Sequence, residues 1–94
     1  MPVVETFAVA YGYVPEMAER RGPHRSAHLE FLKGLLAQDQ LVLAGALTDP
    51  IDGAWILVRA ESQAAARALM DPDPYARAGL INSVTIRPIS IALP

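Results

Sequence analysis

The spacing of apolar positions changes period several times along the chain. Residues 3–11, VVETFAVAY, are rich in β-branched and aromatic side chains and predict a first strand. Gly12, Pro15, Gly22 and Pro23 then punctuate a polar stretch that predicts a loop. Over 24–40 the period becomes helical. Arg25, His28, Leu29, Leu32, Leu35 and Leu36 recur there at three- and four-residue spacing along one stripe. Residues 41–47 predict a short second strand, 48–53 (TDPIDG) a turn, and 54–60 (AWILVRA) a third strand. Ser62 is an N-cap residue for an alanine-rich helix running to Met70. Residues 83–91, SVTIRPISI, predict a last strand. Its Pro88 cannot donate to a ladder, which places that half at an edge or bulge.

The order is β-α-β-β-α-β in a single domain over 1–94. A short turn makes the second and third strands antiparallel neighbours, and each helix crosses over between strands of one sheet. This is the α+β, ferredoxin-like arrangement: an antiparallel sheet with two helices on one face. Alternation along the strands makes the other face apolar as well, with Trp55, Leu57, Leu43 and Phe7 expected on it. A patch of that size left in water exceeds what a monomer usually shows. It predicts a homodimer, sheet packed on sheet into a dimeric α/β barrel.

Composition narrows the partners. The chain is 52% hydrophobic and 19% charged, with a net charge of −2, which fits a globular domain. No basic stripe points to nucleic acid. With no cysteine, disulfides, thiolate nucleophiles and zinc-thiolate sites are excluded. No apolar run approaches the length that spans a membrane. The first residues lack the basic start and long apolar run of a secretory signal, so a cytoplasmic protein is the expectation.

Two features carry candidate chemistry. In 69–80, LMDPDPYARAGL, Pro72 ends the preceding helix, Asp73 suits an N-cap, Pro74 the first helical position and Gly79 the left-handed residue past the end. The segment predicts a one-turn helix. A cap leaves acceptor capacity on Asp73, enough to orient a histidine. His28 lies on the apolar stripe of the long helix, where a polar ring must find a partner or border a cavity. Arg25, one turn earlier on the same side, suits an anionic substrate or an inner carboxylate. His24 and His28 are four apart but lack the glutamate of the zinc-protease motif, and no metal or cofactor is expected.

Taken together, Arg25-Ser-Ala-His28-Leu29, Leu43-Ala-Gly45, the Ser62-led helix, Asp73-Pro74-Tyr75 and Gly79-Leu80 resemble the YCII family of YciI-like proteins in order and spacing. The resemblance covers nearly the whole chain. It implies a ferredoxin-like dimeric barrel, with His28 and Asp73 as a catalytic pair. One branch of the family supplies dehydrochlorinases of chlorinated hydroxyquinols. The segment 13–23 is longer here than is usual in the family.

The expected function is acid–base chemistry on a small cyclic or enolisable substrate: isomerisation, elimination or dehydrochlorination. His28 acts as base and acid and Asp73 orients its ring. Arg25, Tyr11, Ser62 and Tyr75 are the expected substrate-binding residues. The alternative is a non-catalytic ligand-binding or accessory domain in which His28–Asp73 is a structural hydrogen bond.

Overall fold

In the computed structural model, which describes residues 4–93, the chain is built from β1 (Glu5–Tyr13), α1 (Met17–Arg20), α2 (Gly22–Ala37), β2 (Leu41–Ala46), β3 (Gly53–Ala60), α3 (Gln63–Met70), α4 (Pro74–Arg77) and β4 (Ile81–Pro88). The strands form one antiparallel sheet in the order β2-β3-β1-β4. This is the ferredoxin-like α+β fold. β4 is an edge strand and Pro88 its last residue, so the missing N–H falls where no neighbour needs it.

The central pair sets the core. β1 runs antiparallel to β3 with Phe7 opposite Val58, Val9 opposite Ile56 and Tyr11 opposite Ala54. Alternate residues Phe7, Val9, Tyr11 and Tyr13 of β1 and Ala54, Ile56, Val58 and Ala60 of β3 are all buried. Met17 of α1, His28, Leu32 and Leu35 of α2, Ala66 and Met70 of α3 and Tyr75 of α4 are buried on the helix side.

Several boundaries differ from the sequence expectation. β1 continues past Gly12 to Tyr13, and the predicted start at Val3 lies outside the described residues. The expected loop contains α1, anchored by the fully buried Met17. α2 begins at Gly22 because Pro23 fits its first turn, and it stops at Ala37 because Asp39 turns left-handed, at φ 59°. Its buried stripe is narrower than predicted: Leu29 and Leu36 are exposed. Phe7 belongs to the helix-covered face, not to the open one, since its cross-strand partner Val58 is buried there. On the open face Trp55 is 47% exposed, and Leu43 on β2 is 51% exposed.

Gly53, at the start of β3, holds two strands close. A Cβ there would lie 2.7 Å from the Tyr11 carbonyl oxygen and 3.3 Å from Leu47. Gly53→Ala is therefore expected to destabilise the domain by about 1–3 kcal/mol through forced backbone shifts. Urea denaturation measures this, and an unchanged midpoint contradicts the close approach.

Candidate active site

The DPDPY segment supplies the anchor. α3 ends at Met70, and the Asp73 N–H returns to the Met70 carbonyl at 3.0 Å. Asp73 then caps α4: its Oδ1 accepts the Tyr75 backbone N–H at 2.9 Å. Gly79 takes φ 73° just past the helix, in the left-handed region that the sequence reserved for it. The carboxylate is fully buried, and three donors satisfy it. Oδ1 also lies 2.8 Å from His28 Nδ1, and Oδ2 accepts the Tyr11 hydroxyl at 2.9 Å.

This network assigns the histidine tautomer. The Tyr75 backbone N–H donates to Oδ1 and the Tyr11 hydroxyl donates to Oδ2, so both carboxylate oxygens act as acceptors and Nδ1 carries the proton. The lone pair is left on Nε2, across the ring. Nε2 makes no hydrogen bond among the described residues, and no fully buried polar side-chain atom there lacks a partner, so Nε2 reaches open space. The imidazole also stacks on the Tyr75 ring, with centroids 3.8 Å apart and planes 6° from parallel. Tyr75 meets Tyr13 edge-on at 6.0 Å. Asp73 and Tyr75 thus fix the ring in two directions.

The open space is a cavity of about 200 Å³ between α2 and the β2–β3 edge. His28, Leu29, Leu32, Tyr13, Tyr75, Ala54 and Ile56 form its floor and walls, the Ala44–Ala46 stretch one side, and Arg21 and Arg25 also line it. Two of the expected binding residues lie elsewhere. Ser62 is exposed and caps α3 by accepting the Ala65 N–H at 3.0 Å, away from the cleft. Tyr11 does not line the cavity; its hydroxyl donates to Asp73 Oδ2. Arg25 and Tyr75 do line it. Tyr13 and Arg21 were not anticipated. Both had a signal: Tyr13 extends the Phe7, Val9, Tyr11 alternation by one more step, and Arg21 is four residues before Arg25.

The tyrosines hold their protons tightly. Burial, then the Tyr75 phenol and the Asp73 charge, push the Tyr13 hydroxyl up to about 12; nearby Arg21 and Arg25 offset part of this. Burial raises Tyr75 in the same way, and burial with the adjacent Asp73 charge raises Tyr11 furthest. In the unfolded chain a phenol ionises near pH 10, so the native state binds more protons above that point. This contribution to stability is whole below pH 10 and is lost as pH rises toward about 12. Denaturation series at alkaline pH should show the fall, with phenolate absorbance from these tyrosines appearing only with unfolding. Phenolate formation at pH 10 in a folded chain contradicts the burial.

Among the described residues no group of three or more His, Cys, Asp or Glu side chains gathers to hold a metal, and no helix is long and apolar enough to cross a membrane. A family model, the YCII-related domain, matches residues 6–90. The chain is similar in structure to 5-chloro-2-hydroxyhydroquinone dehydrochlorinase from Burkholderia phenoliruptrix AC1100 in complex with 2,5-dihydroxybenzoquinone. That likeness has 20% identity and a TM-score of 0.78, covering 90% of this chain and 93% of that one. It is also similar to a protein described as a putative antibiotic biosynthesis monooxygenase from Bacteriodes thetaiotaomicron VPI-5482, at 13% identity and a TM-score of 0.60, covering 97% and 91%. No curated protein matches it in sequence.

Proposed function

The chain belongs to the YCII-related family, and we propose that it is an enzyme of acid–base chemistry on a small enolisable or cyclic compound bound in the α2–β2 cleft. The observation that carries this reading is the imidazole itself: buried, fixed by Asp73 at 2.8 Å through Nδ1, and unpartnered at Nε2 beside a cavity. A purely structural tie would not require an open second nitrogen.

The groups divide the work. Nε2 takes a proton from a substrate carbon or hydroxyl, and Asp73 stabilises the imidazolium that forms. The electron pair released moves onto a conjugated oxygen or expels a leaving group. Tyr13 and Tyr75, with neutral hydroxyls that have no partner among the described residues, donate to the developing oxyanion. Return of the proton from Nε2 at another position completes an isomerisation; departure of the leaving group, with the Nε2 proton then released to it or to solvent, completes an elimination. The structural likeness to a dehydrochlorinase supports the second outcome as a candidate.

The test is a ligand screen read on the His28 ring by NMR, followed by product analysis for each binder. The reading expects binders that shift the Nε2 resonance and are converted. Binders that shift it and remain unchanged across a broad panel of enolisable compounds would leave a ligand-binding site without catalysis.

The open sheet face supports an assembly proposal. Ala8, Ala10, Trp55, Thr85, Arg87, Pro88 and Ile89 line a groove of about 240 Å³ on it. A second copy, packed sheet to sheet, covers Trp55 and the apolar strip beside it, which is worth roughly 1.5–3 kcal/mol for each large side chain buried. Sedimentation velocity should give a dimer that Trp55→Glu dissociates; a wild-type monomer at micromolar concentration contradicts it.

A further inference from the structure

The charge around the cavity does not match the charge of the molecule. The chain carries a net charge of −2, yet the residues lining the cleft include Arg21 and Arg25 and no acidic side chain. Neither guanidinium takes part in an ion pair or side-chain hydrogen bond among the described residues; the ion pairs there are His28–Asp73, Lys33–Glu30 and Arg59–Asp39. The two arginines are also close in sequence and like in sign. Arg21 is the N-cap of α2 and Arg25 stands one turn on, a spacing at which like charges repel. This is the positive end of the helix dipole, where acids are favoured, and α2 has none in its first turn. Three unfavourable choices converge on one opening, and one event relieves all of them: the arrival of an anion.

From this we propose that the cleft selects a small planar-ring monocarboxylate, its carboxylate held by Arg21 and Arg25 and its ring directed inward toward Tyr13, Tyr75 and His28. This names the substrate class of the His28 site and rests on the reading of that cleft as a ligand site. Size sets the ring: a cavity of about 150 Å³ holds a benzene, and about 200 Å³ leaves room for a few substituents. The walls set its shape, because Leu29, Leu32, Ile56 and the flat Tyr75 ring offer apolar and aromatic contact. The arginines set the anion. A guanidinium fork matches the two oxygens of a carboxylate, and carboxylates are already charged at neutral pH, so the cations act on the free ligand as it approaches. Simple phenols are neutral then and lack that advantage.

Calorimetric titration of the whole protein with benzoate, benzamide and phenol tests this without needing turnover. Benzoate should bind at least about tenfold tighter than benzamide, its neutral isostere, as charge-assisted hydrogen bonds outweigh neutral ones. The margin should shrink with added salt. Arg21→Gln and Arg25→Gln should each weaken benzoate by roughly tenfold and leave benzamide unchanged, and circular dichroism verifies that each variant is folded. Benzoate binding no tighter than benzamide or phenol in the wild-type protein, or no detectable benzoate binding at high millimolar concentration, overturns the proposal. His28→Gln separates the two levels. If the variant keeps the benzoate preference and the wild-type protein turns over no carboxylate, the acid–base reading fails and the carboxylate site stands.

Discussion

Asp73→Ala is expected to lower stability by about 3–5 kcal/mol, the lower part of what three stranded buried donors cost together. The reason is the number of groups it leaves stranded. The Tyr75 N–H, the Tyr11 hydroxyl and the His28 Nδ1–H all end on this carboxylate, in a site with no exposure to water. Each unsatisfied donor costs about 1–3 kcal/mol, and α4 loses its cap as well. For a domain of this size, at about 4–8 °C per kcal/mol, the melting temperature should fall by roughly 12 °C or more. Asp73→Asn separates stability from chemistry. The amide keeps the volume and one acceptor, so the fold survives, but it no longer offers two acceptor oxygens to the three donors. The imidazole then loses its fixed tautomer, and a His–carboxylate pair treated in this way loses about 10⁴-fold in turnover. Thermal denaturation of both variants checks the first part; an Asp73→Ala protein as stable as the parent contradicts the network.

His28→Gln carries the second large effect. Glutamine can still donate to Asp73, so the buried carboxylate keeps a partner and the stability loss should stay near 1–2 kcal/mol. General acid–base catalysis is worth about 10²–10⁴-fold, and a side-chain amide cannot take up a proton at neutral pH. Turnover should therefore fall by that factor with ligand affinity changed little, a loss in kcat and not in KM. A parallel drop in affinity and stability with full residual turnover would assign His28 to packing alone.

The fold was legible because each element carries its own signal. The period of two in AWILVRA places β3 and its buried face, Ser62 marks the start of α3, and the Asp73-Pro74 step with Gly79 delimits α4 at both ends. The convergence of His28 with Asp73, 45 residues apart, was legible in part: a histidine on an apolar stripe and a capping aspartate with spare lone pairs each need a partner. Three parts were obscured, each for a local reason. Gly12 reads as a break, yet the strand runs through it, and this hid Tyr13. Met17 is the buried anchor of a four-residue helix too short to show a period, and this hid α1. The start of α2 at Gly22 was masked by Pro23, which signals a loop in one context and a first helical turn in another; with it Arg21 went unseen. Tyr11 was placed on the correct strand, but its hydroxyl goes to Asp73, because whether an inward phenol faces a cavity or a carboxylate is decided by tertiary packing, which its spacing does not encode.

At the centre of the account is the claim that Nε2 of His28 moves protons on a bound molecule. Exchange of substrate C–H for solvent deuterium measures this directly, followed by NMR on small enolisable ring compounds incubated with the wild-type protein and with His28→Gln. Exchange at one carbon of a bound compound, present in the wild type and lost in the variant, is the expected result. Equal exchange in the two proteins, or none from any compound bound in the cleft, would contradict it.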